Sequence, residues 1–94
     1  MSILTSAHLS KGKIIICPNE SENIEAFINI LIKNGYEYLE TMHTADLVFS
    51  RTIELLDHSQ YELAITREIE TLVFGKYTKL AIEYIDFDGK IVKK

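Results

Sequence analysis

Apolar and polar positions along this chain repeat with more than one period, and each period predicts a different element. The run Lys13-Ile14-Ile15-Ile16-Cys17 is short, β-branched and unbroken, and it stops at Pro18. It predicts a buried strand in the interior of a sheet. Residues 1–10 before it read as a loose arm or a short edge segment.

A helix follows. Asn19 is placed to cap it, with Glu22 three residues later in a capping-box pattern. Ile24, Phe27, Ile28, Leu31 and Ile32 then fall on one apolar stripe, while Glu22, Glu25, Asn29 and Lys33 take the wet side. Gly35 stands where a left-handed stop belongs. Acids in the first turn and Lys33 in the last also suit the helix dipole.

Tyr36 to Thr41 returns to strand chemistry. Thr44 can cap a second helix running to about His58. Ala45, Val48, Phe49, Thr52, Ile53, Leu55 and Leu56 gather on one face of it, and Asp46, Ser50, Glu54 and Asp57 on another. A short strand over Asp46–Phe49 competes with this assignment, but the segregation persists through Asp57 and favours the helix. From Tyr61 the alternation of Tyr61, Leu63, Ile65 and Ile69 with Glu62, Ala64, Thr66, Glu68 and Glu70 predicts a half-exposed strand. A helix there would leave Leu63 and Phe74 opposite its stripe. Gly75-Lys76 reads as a tight turn and Tyr77–Phe87 as a long strand. Asp88-Gly89 is a hairpin signal that returns Lys90–Lys93 as an edge strand, where terminal lysines discourage stray pairing.

The resulting order is β-α-β-α-β-β-β, an α+β two-layer sandwich with a mixed sheet and two helices on one face. The right-handed crossover rule sets the first helix over parallel strands one and two. The other face is left uncovered, carrying part of Glu62, Thr66, Glu68, Glu70, Glu83 and the tyrosines. Such a face is either solvated or an interface.

Length and composition narrow the class. With 94 residues, 47% apolar and 26% charged, the chain is a single domain over 1–94, too short for two cores. One cysteine makes no internal disulfide. No apolar run approaches the ~20 residues that cross a bilayer, so no membrane role is expected. Met1–His8 lacks the basic start and greasy stretch of a signal peptide, and the expected compartment is the cytoplasm.

Charge is placed unevenly. Between Glu20 and Glu70 there are eleven acids against only Lys33, Arg51 and Arg67. That field has the wrong sign for displacing counterions from a duplex, so direct nucleic-acid binding is disfavoured.

No complete catalytic set emerges. Cys17 ends a strand ahead of a helix, a position that favours a reactive thiol. However, a dithiol motif needs a second cysteine where Glu20 stands, and a C-x5-R phosphate loop needs an arginine where Asn23 stands. His8, His43 and His58 have no metal-ligand spacing, so no metal is expected. No phosphate-cradling glycine motif is present, and no cofactor is expected. Asp57-His58-Ser59 holds triad letters, but a triad converges through space, not along the chain.

The leading expectation is therefore a non-enzymatic, inhibitor-, immunity- or antitoxin-like module. It would mask the basic surface of a partner protein with Asp46, Glu54, Asp57, Glu62, Glu68 and Glu70. One alternative is a small α/β enzyme or ligand-binding domain that uses the loop after strand one, with Cys17 as nucleophile and His43 as possible base. Another is a self-associating subunit, a homodimer joined through the uncovered sheet face or the Lys90–Lys94 edge.

Overall fold

The computed structural model describes residues 8–39, 46–55, 60–85 and 91–92. Within them the elements are β1 (His8–Pro18), α1 (Ile24–Lys33), β2 (Glu37–Leu39), β3 (Leu47–Leu55), α2 (Tyr61–Val73), β4 (Tyr77–Ile85) and β5 (Ile91–Val92). The strands form one sheet in the order β2-β3-β1-β4-β5, and every neighbouring pair is antiparallel. The architecture is α+β, with both helices against one face of the sheet: Phe27 and Leu31 of α1 share a single core with Tyr61, Ile65, Ile69 and Val73 of α2.

The order of elements, β-α-β-β-α-β-β, corrects the expected order at two places. Residues 47–55 are a strand, not a helix. Leu47 and Phe49 are buried toward the helices while Thr52 and Glu54 point away, so a period of two governs this segment. The four-residue spacing of Asp46, Ser50 and Glu54 is equally compatible with alternation, because four is a multiple of two. Residues 61–73 are a helix, not a strand. Tyr61, Ile65, Ile69 and Val73 recur every fourth position and are all fully buried. Each contributes about 1.5–3 kcal/mol of burial. Leu63 and Phe74, the residues that argued against a helix, are simply exposed, at 54% and 79%.

The sheet is antiparallel rather than mixed for a topological reason. β1 and β2 run the same way, but β3 inserts between them; β3 and β4 likewise run together with β1 between. Two interlocked split β-α-β units result, the ferredoxin-like arrangement with β5 appended. This arrangement hosts many unrelated activities, so no function follows from it. As expected, β1 is the interior strand, paired along both sides. Its first residues, 8–10, belong to the strand and not to a loose arm; 1–7 lie outside the described residues.

Helix α1 starts one turn later than the capping-box reading. Asn23 is its N-cap, accepting from the Ala26 amide at 3.0 Å. Asn19 instead ties the loop before α1 to the turn after α2: its backbone N–H donates to the Lys76 carbonyl and its side-chain amide to the Gly75 carbonyl, both at 2.9 Å. Gly35 takes φ +97° and Gly75 φ +77°, so each supplies the left-handed residue that turns the chain after its helix. Asp88-Gly89 lies outside the described residues, although β4 and β5 pair antiparallel as a hairpin requires.

Packing between the layers depends on Gly12. The Tyr61 ring lies on it where any Cβ would collide, and the phenol donates to the carbonyl of Arg51, directly across from Gly12 in the ladder. The ring also sits 5.6 Å from that of Tyr84.

Candidate functional site

Three groups of polar residues stand out from the core. The first joins the layers. Arg51 projects from β3 toward the helices, with Nε 3.2 Å from Glu68 Oε1 and Nη2 3.3 Å from Oε2. Its Nη1 donates to the Gly35 carbonyl, and the guanidinium lies 5.1 Å from the centre of the Tyr36 ring. The Tyr36 hydroxyl donates to Glu68 Oε1 at 2.6 Å. Burial, and then the Glu68 carboxylate it donates to, push the Tyr36 phenol well above its ordinary range. Burial alone would lower Arg51, but the contacts with Glu68 outweigh it and the net shift is upward. Each guanidinium nitrogen already has an acceptor, and the phenol stays protonated. The cluster is a clamp between β3, α2 and the end of α1, with its charges and the phenol already engaged with one another.

The second group lies on the sheet face away from the helices, where pairing sets side chains in rows. Glu37, Ser50, Lys13 and Glu83 form one row; Leu39, Val48, Ile15 and Ala81 form the next. In a third, Lys79 stands opposite Cys17 and its Nζ reaches Asp46 Oδ2 at 2.8 Å. The hydrogen bond from Lys79 holds the Asp46 carboxyl below the usual range, and the same bond raises Lys79. Cys17 is half-buried, and its thiol is 3.7 Å from the Pro18 carbonyl. It is not at a helix N-terminus: α1 begins only at Ile24, and there Asn23 caps the Ala26 amide. His43, the base imagined for it, lies outside the described residues.

The third group is at one end of the helix layer. The Asn19 tie joins the loop before α1 to the turn after α2, so Glu20, Glu22 and the first turn of α1 with Glu25 stand at the same end of the layer as Glu70 in the last turn of α2 and Phe74 just after it. Glu20, Glu25 and Glu70 are exposed. Tyr77 is raised chiefly by burial and then by the field of Glu70, which places that carboxylate at this end. Lys76 is the cation within the same turn. Phe74 is the most exposed of the large hydrophobic residues described.

Of the six carboxylates expected to form one surface, the five that are described are spread over separate parts of the fold. Glu68 is matched by Arg51 and Asp46 by Lys79. Glu54 points out of the helix-free face, Glu62 stands in the first turn of α2 and Glu70 in its last, and Asp57 lies outside the described residues. Phe74 was missed as a surface residue, because the strand assignment treated every large apolar residue as something to be buried.

Searches of protein-family models, curated proteins and solved structures found no match to this chain. Among the described residues no three of His, Cys, Asp and Glu are grouped to hold a metal ion, and no helix is long and apolar enough to cross a membrane.

Proposed function

We propose that this chain is a non-enzymatic protein-binding module, of the inhibitor or immunity type, that docks one end of its helix layer onto a basic surface of a partner protein in the cytoplasm. The observation carrying this reading is Phe74: 79% exposed, at an end where Glu20, Glu22, Glu25 and Glu70 outnumber Lys76. An aromatic ring held in water at an end richer in carboxylates than in cations suits an interface, where the carboxylates steer encounter and the ring fills a pocket. The docking set thus keeps Glu70 from the carboxylates expected and replaces those that the fold separates or neutralises.

The test compares wild type with a Glu25→Lys/Glu70→Lys/Phe74→Ala variant as bait in lysate of the native host. A partner of high isoelectric point is expected on wild type alone, released as salt rises. Equal retention by both baits, or retention indifferent to salt, overturns the reading, as does the absence of any wild-type-specific partner.

A further inference from the structure

We propose that the helix-free face of the sheet is where two copies of this chain meet, packed face to face about a two-fold axis. This surface is separate from the helix-layer end and does not depend on the docking role given above.

A sheet face that simply meets water alternates apolar-in with polar-out. Here the outward side interrupts its polar rows with Leu39, Val48, Ile15 and Ala81, one from each of four adjacent strands and each half-buried. No described element lies over them, because both helices pack on the opposite face. Charge decides the occupant. The chain as a whole has net charge −4, but among the described residues this face is close to balanced, with Lys11, Lys13 and Lys79 against Glu37, Asp46, Glu54 and Glu83. It therefore offers little to a strongly basic partner and little repulsion to its own copy.

The pattern is also self-complementary. A two-fold axis laid along the apolar row sets Leu39, Val48, Ile15 and Ala81 against the same residues of the second copy. The flanking rows, each about 7 Å from the axis by strand geometry, then exchange places. Glu83 comes to face Lys79 of the second copy, and Lys13 comes over Cys17 beside Asp46 of the second copy. Lys79 is 57% exposed and keeps donors beyond the one given to Asp46, so it can serve both carboxylates. Facing sheets pack about 10 Å apart, with side chains of both filling the gap, and an isologous contact of this kind closes at two subunits.

Cys17 reports on the contact in the native protein, since its thiol lies within the covered rows. Sedimentation across the micromolar range is expected to show a monomer–dimer equilibrium. Iodoacetamide labelling of Cys17 is expected to slow in proportion to the dimer present. Glu83→Lys and Val48→Lys are each expected to give a monomer with unchanged circular dichroism and concentration-independent labelling. A wild type that stays monomeric overturns the proposal. So does a dimer in which Cys17 labels at one rate at all concentrations, or one that survives either substitution. Should a variant fail to fold, the wild-type labelling rates decide alone. Glu25→Lys/Glu70→Lys/Phe74→Ala is expected to dimerise like wild type, so the two surfaces stand or fall separately.

Discussion

At the scale of single residues, the fold depends on a few close fits. Gly12 is the sharpest. Its missing side chain is the space that the Tyr61 ring fills, and Tyr61 is fully buried there. Gly12→Ala forces either the ring or the strand to move. The expected loss is about 1–3 kcal/mol, as for other overpacked cores, read from the urea midpoint of the variant against wild type. A midpoint within error of wild type would mean that α2 can ride higher on the sheet at no cost. Nothing in the sequence around Gly12 announces this role. A glycine within a strand signals a bulge or a close approach, but which group approaches is known only once α2 is docked.

At the scale of elements, α1 was legible and the pair β3–α2 was not. α1 carries an amphipathic stripe, a stop glycine and dipole-matched charges, all local and mutually consistent. Its cap was displaced by one turn because Asn19 and Asn23 are both good cap residues, and only contact with the Gly75 turn assigns Asn19 elsewhere. Asn23→Ala is expected to destabilise the protein by about 1 kcal/mol through α1. Asn19→Ala should act through the Gly75–Lys76 turn. Hydrogen exchange separates them: the first raises exchange in the opening turn of α1, the second at the junction with β4. If Asn19→Ala frays α1 and Asn23→Ala does not, Asn19 and not Asn23 is the cap of α1. The sequence is ambiguous over 47–55 and 61–73 because both segments hold apolar residues at helical and at strand spacing. Leu63 and Phe74 are the residues that a helix over 61–73 leaves opposite its apolar stripe. Large apolar residues are often exposed in folded proteins, so their stranding was weak ground for rejecting a helix.

At the scale of the whole molecule, stability is expected to decline toward both ends of the pH range. Tyr36 and Tyr61 are each raised above the ordinary phenol value of about 10, both chiefly by burial. Above about pH 10 the unfolded chain releases these protons while the folded chain keeps them, so their contribution is complete below that value and is lost as pH rises. At the acid end the sign reverses for Asp46. Lys79 depresses it, so its contribution is present above the ordinary carboxylate range and disappears as pH falls through the folded value. Tyr36→Phe is expected to cost about 1–2 kcal/mol at neutral pH through the lost bond to Glu68, and to flatten the alkaline decline in urea midpoint. An unchanged slope would show that Tyr36 carries no share of it.

Local chemistry by itself determined an α+β composition, with α1 in its place, β1 inside the sheet and a turn at Gly75. Each of these depends on runs, stops and caps read within a few residues of one another. Tertiary structure alone decided which carboxylates remain available. Glu68 looks like any helix-surface acid until β3 sets Arg51 beside it, and Asp46 until β4 brings Lys79 across Cys17. Charge pairing acts over a few ångströms of space between residues 17 and 33 positions apart in sequence. No count of acids along the chain can anticipate it. The same holds for the helix-free face, whose apolar row is assembled one residue from each of four strands.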